Sequence, residues 1–500
     1  MPRLTLSMIV KNEEKHLAGC FDSVKGLVDE IVLTDTGSND KTLEIAKEYG
    51  AKIYHFDWIN DFSAARNYSL KYSTGDWILY LDADERLSPK SIEEVRKIIS
   101  RKADEAYQCS VNSIDEVNHV PHFISYPRLF RNNPKLEFTG RVHEQIIPSL
   151  QKLNYKFKNS GIEIIHLGYN VTTDIIKEKA KRNLDLLLKD YAENRSAYGA
   201  FQIGQTYNAL GDRNSAYIYF NEMVAIHDAC PISYKAHAYR FMASCKLKEN
   251  KFEEALKLAG EGLKIDKTQP LLNVILAKIH QKMNDDKQAL YYAQKAYEYN
   301  HELVSGKSKD FDFTQDEFNL ILFGLQIASI FKNKQSAGYF LSRVPLITKP
   351  KQWVKDFTET LKLILNDQPL TPGIIDEFIK WITNDNLESV LSVIENYAVP
   401  DSRLELLKQM SGKFQADPAY LNALGLAMME NNYRKQAAIV LKKSVELGYK
   451  DAASMIKLIS LCVLEGDKAG AEQVLALTEA EYGSFIPEKI AIIRQKLKNF

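Results

Sequence analysis

Short apolar runs alternate with amphipathic segments over the first hundred residues of the chain. The apolar runs predict β-strands at Leu4–Val10, Glu30–Thr34, Ala51–His55 and Trp77–Leu81. The segments between them have helical spacing, at Glu14–Leu27, Lys41–Tyr49 and Ala64–Lys71. Two further strands are predicted at 123–130 and 162–166. This order is typical of an α/β fold with a sheet of parallel strands, and a ligand crevice is then expected at the carboxyl ends of those strands.

From about residue 174 onward the hydrophobic pattern is helical, with little strand signal. Alanines recur there at a nearly constant interval: Ala216, Ala255 and Ala289 are 39 and 34 residues apart, and Ala437 and Ala471 are 34 apart. Small residues at such positions let two antiparallel helices approach closely, so the pattern resembles the tetratricopeptide repeat. A plain helical bundle is the alternative. Residues 311–400 are helical but off this register, and are either degenerate repeats or a helical insert.

The composition narrows the class of protein. The 500 residues include 65 Lys and Arg against 65 Asp and Glu, so no net charge draws the chain to nucleic acid or to an anionic membrane. Five cysteines lie far apart without a CxxC pair, which predicts reduced thiols. The N-terminal sequence does not resemble a signal peptide, and no stretch reaches the roughly 18 apolar residues of a membrane span. We therefore expect a cytoplasmic protein with no membrane span and no nucleic-acid partner.

Acidic residues follow two neighbouring predicted strands. Asp82 and Asp84 come directly after Trp77–Leu81, and Asp35 follows Glu30–Thr34. Carboxylates at the carboxyl ends of buried strands place hard oxygen ligands where a divalent cation could bridge them to a diphosphate. The alternative for such a pair is a solvated turn or a helix cap.

Three other side chains are candidates for the same edge of the sheet. His166 ends another apolar strand and is either an imidazole ligand of the metal or a packed, hydrogen-bonded residue. Arg128 and Arg131 either clamp phosphate through their forked donors or are solvated charges of a surface loop. Glycine-rich phosphate loops of the P-loop or dinucleotide type do not occur in the sequence.

Four segments together resemble family 2 glycosyltransferases of the GT-A fold: Ser7–Glu14, Asp29–Ser38, Asp61–Asn67 and Gly75–Glu85. They occur in the family's order over about the first 170 residues. Arg128–Phe130 and Val142–Glu144 are similar to the branch of that family that carries C-terminal tetratricopeptide repeats. That branch includes enzymes that glycosylate peptides and proteins, such as bacteriocin cysteines or flagellin. The resemblance implies a metal-dependent, inverting glycosyltransferase.

The resemblance also implies how a nucleoside diphosphate sugar, UDP- or dTDP-linked, would be bound. The end of the first strand would wall the base, with Val10, Asn12 and Glu14 as binding residues. Asp35 would accept a hydrogen bond from the base or the ribose, and Arg66 would face the nucleotide.

The resemblance also implies which residues would bind the metal and which would act as the catalytic base. Asp84 would bind Mn²⁺ or Mg²⁺ directly, with Asp82 nearer the ribose and His166 as a further candidate ligand. Displacement at the anomeric carbon needs a base that takes the acceptor proton. Glu144 and His143 are the candidates, and alternation along a strand lets only one of them face the cleft. Glu144 is preferred, with His143 shaping the site or taking the role itself.

The predicted organisation is a GT-A domain at 1–170, a linker helix at 171–195, repeats at 196–310, the helical region at 311–400 and further repeats at 401–500. The curved face of a repeat array suits an extended polypeptide, so the expected acceptor is a Ser, Thr or Cys side chain of a protein or peptide, flagellin being one example. Two alternatives stay open: an acceptor that is a lipid-linked or surface-polysaccharide glycan, and a non-catalytic scaffold with a vestigial transferase domain. A homo-oligomer is a further expectation, because repeat arrays often self-associate.

Overall fold

The computed structural model describes residues 2–101, 103–114, 121–167, 173–228, 230, 232–305, 315–347, 351–483 and 486–498, without the side chains of 113, 114, 121–125, 173–177 and 179. The boundaries predicted near residues 170 and 310 lie outside these residues, and the domain limits stay predictions. The chain divides into two compact units. The first comprises 1–283 and 298–316, the second 284–297 and 317–500, and each is described by itself.

One mixed sheet forms the centre of the first unit. Its strands are β1 Leu4–Val10, β2 Glu30–Asp35, β3 Lys52–His55, β4 Trp77–Tyr80, β5 Glu85–Leu87, β6 Glu105–Ile114, β7 Pro121–Arg131 and β8 Lys156–His166. Their order across the sheet is β3-β2-β1-β4-β7-β6-β8-β5. The first four in this order are parallel, as predicted, and β7 pairs with β4 in the antiparallel direction.

The register of the sheet brings the acidic strand ends to one edge. Val10 of β1 pairs with Asp35 of β2, and Ser7 of β1 pairs with Tyr80 of β4. β1 lies between the two acid-bearing strands, so their ends are about 10 Å apart at ~4.8 Å per strand. After Tyr80 the chain makes a turn, in which the amide of Glu85 donates to the carbonyl of Asp82 at 3.0 Å, and Glu85 of β5 then pairs with His166 of β8.

Helices cover both faces of this sheet: α1 Leu17–Val24, α2 Thr42–Glu48, α3 Phe62–Tyr72, α4 Ile92–Ile99 and α5 Ile147–Lys152. Alternate residues of β1, such as Leu4 and Leu6, are fully buried in the core that includes α1 and α4. The intervening Ser7 lies towards α3, where its hydroxyl is 2.7 Å from that of Ser69. Apolar and small polar residues alternate along β1. One face of the strand therefore packs against the core with α1 and α4, and the other lies towards α3.

The predicted helix at Glu14–Leu27 is shorter in the structure and begins at Leu17. Asn12 has a left-handed backbone, with φ of 58°, and the amide of Glu14 donates to Asp40 Oδ2 at 3.1 Å. The first residues after β1 thus bond to the loop after β2, which delays the start of α1.

Helices follow β8 in the described part of the chain. They are α6 Thr173–Glu193, α7 Ala197–Leu210, α8 Arg213–Ala225, α9 Ile232–Lys248, α10 Phe252–Ile265, α11 Pro270–Lys282, α12 Asp286–Val304, α13 Glu317–Ile330, α14 Lys334–Leu341, α15 Gln352–Leu365, α16 Pro372–Lys380, α17 Asn384–Tyr397, α18 Pro400–Phe414, α19 Pro418–Glu430, α20 Arg434–Glu446, α21 Ala452–Leu464, α22 Lys468–Tyr482 and α23 Pro487–Lys498. In the part of the chain that the structure covers, none of the helices has both the length and the apolar character needed to cross a bilayer.

The five alanines that define the repeat interval are all fully buried. Neighbouring helices pack in pairs, such as α7 with α8, α9 with α10 and α19 with α20. Glycines at the crossing points allow this close approach. A Cβ on Gly204 would lie 3.0 Å from the ring of Phe220, and one on Gly425 would lie 2.6 Å from Leu441. The small residues predicted to bring helices together therefore do so.

A glycine also faces a large side chain of the next helix in the region 311–400, for which the sequence left two alternatives open. Gly324 on α13 faces Phe340 on α14, 16 residues later, which is the spacing of Gly204 to Phe220 and of Gly425 to Leu441. This spacing favours degenerate repeats over an unrelated insert for α13 and α14.

Gly324→Ala is expected to destabilise this helix pair by about 1–3 kcal/mol, because the new methyl group would lie 2.1 Å from Phe340 Cε1. Gly338→Ala on α14 is the matched control, since nothing lies within 4 Å of its added methyl. The control should be neutral or stabilising by up to about 1 kcal/mol, as expected for alanine replacing glycine inside a helix. Native-state hydrogen exchange of α13 and α14 measures the stability of the helix pair in each variant. Equal exchange in the two variants would contradict the contact.

Candidate active site

The two carboxylates that follow β4 have different partners. Asp82 Oδ1 accepts from Arg66 Nη2 at 2.7 Å, whereas Asp84 Oδ2 lies 3.2 Å from His166 Nε2. The chain turns between β4 and β5, where the amide of Glu85 donates to the carbonyl of Asp82, and this turn directs the two carboxylates to different partners. The backbone carbonyl of Asp84 accepts from the amide of Leu167, so Asp84 lies beside the end of β8. Asp82 remains near the middle of the sheet.

Arg66 connects three parts of the site. It lies on α3, whose first turn is capped by Asp61 through a 2.9 Å bond from the amide of Ala64. Its side chain is 8% exposed and bonds to Asp82 and, through Nε, to Glu144 Oε1. Burial alone would lower the pKa of Arg66, but the two carboxylates raise it above its ordinary value, so the guanidinium remains charged. Arg66 therefore fixes the position of two predicted site residues at once.

A second buried arginine lies on the other side of Asp82. Arg128 Nη2 donates to Glu85 Oε1 at 2.7 Å and lies 3.8 Å from Asp82 Oδ2. Its side chain is 9% exposed, so the interpretation of Arg128 as a solvated loop charge is wrong. The guanidinium groups of Arg66 and Arg128 hold the pKa of Asp82 well below its usual range against the opposing effect of burial. Burial raises the pKa of Glu85.

We call Arg66, Arg128, Asp82, Glu85 and Glu144 the ion-pair cluster. Tyr80, the last residue of β4, lies at its centre, with the guanidinium carbon of Arg128 4.4 Å and that of Arg66 5.2 Å from its ring centroid. Burial raises the pKa of Tyr80 to about 12, so it is a neutral phenol. The sequence prediction missed both Glu85 and Tyr80. Their positions directly beside the Asp82 and Asp84 motif are the signal that could have identified them.

Arg131 does not belong to this site. It pairs with Trp77 at the beginning of β4, and its Nη2 lies 3.2 Å from Asp76. β7 runs antiparallel to β4, so the three residues from Arg128 to Arg131 move the chain about 10 Å away from the site edge. The proposed phosphate clamp is therefore wrong for Arg131.

Glu144 and His143 lie on a closed loop, residues 139–145, rather than on a strand. The amides of Thr139 and Gln145 exchange hydrogen bonds of 3.0 and 2.8 Å with each other's carbonyls. His143 has a left-handed backbone, with φ of 57°, and an exposed side chain. Strand alternation is thus the wrong reason for separating the two residues, although Glu144 does accept a hydrogen bond from Arg66 in the ion-pair cluster.

The residues predicted to contact the nucleotide take part in loop contacts. Val10 is packed in the core, and its carbonyl accepts from the amide of Thr36 at 3.0 Å. Asn12 Oδ1 accepts from the amide of Asn39, and Glu14 Oε2 accepts from the amide of Lys41. The side chain of Val10 is therefore unsuited to walling a base, while Asn12 and Glu14 hold together the loops after β1 and β2.

Asp35 is 4% exposed at the end of β2. Its carboxylate accepts from the amides of Gly37 and Ser38, at 3.3 and 3.0 Å. His55 Nδ1 of β3 lies 3.4 Å from the same carboxylate. Asp35 thus holds the turn after β2 in place, next to where a nucleotide would lie in a crevice at this edge.

Residues that could hold a metal are few. Within the described ranges, no group of three or more His, Cys, Asp or Glu side chains converges on a cation position. Asp84 and His166 are adjacent and 27% and 24% exposed, and they combine a carboxylate with an imidazole, which suits Mn²⁺. Asp82 is bonded to Arg66 and is not placed with them.

Asp84 is expected to raise the pKa of His166, because its hydrogen bond to the imidazole stabilises the protonated ring. The pair then adds stability below the ordinary histidine pKa of about 6.5 and loses it as the pH rises through the raised value. In Asp84→Asn, the pKa of His166 should fall. Titration of the His166 ring protons by NMR, assigned with His166→Gln, measures this, and an unchanged pKa would contradict the contact.

Residues 5–168 match the family described as Glycosyl transferase family 2. They comprise the sheet, its helices and the site described above. This part of the chain is therefore a family 2 glycosyltransferase domain with a mixed-sheet, GT-A-like fold, and helices of the tetratricopeptide type follow it.

Two curated proteins are similar to part of this chain. A TPR repeat-containing protein of Synechococcus elongatus is 36% identical over 225 residues, which are 43% of this chain and 55% of the relative. The SPbeta prophage-derived glycosyltransferase SunS of Bacillus subtilis is 34% identical over 188 residues, 37% of this chain and 44% of SunS. This chain spans about half the length of these relatives.

A solved structure is also similar to part of this chain. The crystal structure of a tetratricopeptide repeat protein from Parabacteroides merdae is 10% identical and covers 61% of this chain and 100% of that protein, with a TM-score of 0.41.

Proposed function

We propose that this chain is an inverting glycosyltransferase that moves a sugar from a nucleoside diphosphate sugar to a Ser, Thr or Cys side chain of a polypeptide, with Mn²⁺ or Mg²⁺ at Asp84 and His166. The observation that carries the proposal is the meeting of Arg66, Asp82 and Glu144 in one bonded group at the carboxyl edge of the sheet. They come from α3, from the residues after β4 and from the loop 139–145.

The charges of the site support a requirement for a cation. Arg66 and Arg128 are each bonded to carboxylates of the ion-pair cluster, and Asp84 adds a further carboxylate. These residues present no excess positive charge to a diphosphate, which is itself an anion. A divalent cation supplies that charge and stabilises the leaving diphosphate as a Lewis acid. Asp84 and His166 are the residues that would hold it.

The protein residues have separate tasks in this proposal. Arg66 holds Glu144 through one carboxylate oxygen, so the other oxygen is the one that takes the proton of the acceptor. The rings of Tyr80 and Phe138, 5.2 and 5.7 Å from the guanidinium carbon of Arg66, exclude water from this ion pair. Arg128 has a buried Nε without a hydrogen-bond partner in the described part of the chain. We expect this N–H group of Arg128 to gain a hydrogen-bond acceptor when the substrate binds.

The polypeptide acceptor is proposed from the helices that follow the transferase domain. α7 packs against α8 and α9 against α10, and helix pairs of this kind build the peptide-binding surfaces of repeat proteins. Flagellin is one candidate acceptor. The bonded group of Arg66, Asp82 and Glu144 retains the charged residues that transfer requires, which supports a catalytic site over a vestigial one.

Intact-mass measurement tests the proposal directly. The purified chain is incubated with Mn²⁺, a UDP- or dTDP-sugar and peptides that contain Ser, Thr or Cys. The expected result is a peptide heavier by one sugar residue, and removal of the metal with EDTA should abolish the gain. Modification of glycan acceptors alone would replace the polypeptide acceptor by the alternative, and no donor consumption with any acceptor would refute a transferase.

A further inference from the structure

The loop that carries Glu144 is held from two sides. On the transferase side, Arg66 binds Glu144, and the amide of Phe62 donates to the carbonyl of Arg141 at 2.9 Å. On the helical side, Arg141 Nη2 lies 2.8 Å from Glu193 Oε2 of α6. Contacts to helices beyond the sheet thus begin directly beside the proposed base.

The apolar contact of this loop is also with the helices. Val142 is 5% exposed and is buried with Leu187 of α6 and Ile203 of α7. These helices include the predicted linker and the first helix of the predicted repeats. The predicted linker helix therefore packs against the loop that carries Glu144.

Tyr198 of α7 bonds on both sides of Glu144. Its hydroxyl donates to the carbonyl of His143 at 3.1 Å and accepts from Gln145 Nε2 at 2.8 Å. Burial raises the pKa of Tyr198 well above its usual value, so the hydroxyl keeps the proton that it donates. The residues immediately before and after the proposed base are thus attached to one phenol on the first repeat helix.

We propose that Tyr198 is a positioning residue for Glu144, and that α7 is therefore part of the active site rather than only part of an acceptor-binding surface. The inference rests on the proposed function, because it takes Glu144 as the base. The left-handed backbone of His143 directs its carbonyl to Tyr198 while Glu144 extends to Arg66. Loss of the Tyr198 hydroxyl removes its hydrogen bonds to His143 and Gln145, so the loop is then held less firmly on the side of α7.

Tyr198→Phe in the full chain tests the inference, with Tyr207→Phe on the same helix as the control. We expect a fall in kcat of about tenfold with an unchanged KM for the donor, since a shift of 1 Å in a reacting group costs up to about a hundredfold. Tyr207 packs against the cluster that contains Val142, but Tyr207→Phe keeps this ring and leaves both hydrogen bonds of Tyr198 to the loop in place, so it should leave kcat unchanged.

Hydrogen exchange provides a readout that does not depend on catalysis. The amides of Thr139 and Gln145 close the loop, so Tyr198→Phe should make both exchange at least fivefold faster, while exchange in α3 is unchanged. Gln145→Met serves as the second variant if Tyr198→Phe fails to fold. Tyr198→Phe removes both bonds of the phenol, whereas Gln145→Met removes only the bond from Gln145, so the double variant should be close to Tyr198→Phe alone.

The outcomes separate the two proposals. Faster exchange of the loop with a lower kcat supports the inference. Wild-type exchange and wild-type kcat in both variants would overturn it. A wild-type chain that consumes no nucleotide sugar refutes the proposed function, and the exchange of Thr139 and Gln145 then still decides whether Tyr198 holds the loop.

Discussion

Asp84→Asn is expected to reduce sugar transfer by at least 100-fold and to remove the Mn²⁺ dependence of nucleotide-sugar binding. Asparagine keeps the shape of the side chain but loses the charge that a hard divalent cation requires. The fold should tolerate the change, because Asp84 and His166 are partly exposed and such pairs contribute about 0–1 kcal/mol. Transfer is measured by intact mass, and binding by the shift in thermal midpoint with UDP-sugar and Mn²⁺ together.

Asp104→Asn is the matched control. Asp104 precedes β6 at the opposite edge of the same sheet, and its side chain is exposed. It should retain wild-type transfer and wild-type metal dependence. Full activity in Asp84→Asn would exclude Asp84 as the metal ligand and would leave the cation proposal without its main residue.

Arg128→Met is expected to destabilise the first unit by about 3–5 kcal/mol, the cost of leaving a buried charge without its partner. Glu85 is only 2% exposed and accepts a 2.7 Å bond from Arg128. The substitution also removes the guanidinium that lies 4.4 Å from the Tyr80 ring. Hydrogen exchange of β4 and β7 amides under increasing urea measures the effect within this sheet.

The double variant Arg128→Met with Glu85→Gln separates the ion pair from side-chain packing. It removes both charges, so a substantial part of the loss should be recovered. Equal destabilisation of the single and double variants would show that packing of Arg128, rather than its charge, supports the sheet.

Much of the fold could be predicted because it depends on local patterns. The four parallel strands β1 to β4 were placed within one residue, since each is a short apolar run between polar turns. β5 was missed because three residues, Glu85–Leu87, carry too little pattern, and only pairing with β8 makes them a strand. α1 was predicted too long because bonds to a distant loop, not helical spacing, decide where it begins.

The site was predicted in part for the same reason. Arg66, Asp82, Asp84 and Glu144 were identified from motifs, but no motif states which carboxylate an arginine will bind. Asp82 and Asp84, two residues apart, have different partners because the chain turns between β4 and β5. Arg131 was misplaced because the antiparallel direction of β7 is set by its pairing with β4.

The sequence by itself determined the α/β domain, the helical repeats and the residue types that a nucleotide-sugar site requires, because strand and helix periodicity and short motifs are local properties of a chain. Only the tertiary structure decided that Arg66 joins Asp82 to Glu144, that His166 lies beside Asp84, and that Tyr198 of the first repeat helix holds the loop of the proposed base. These contacts join residues 16 to 82 positions apart, and they form only when strand order and helix packing bring distant segments together.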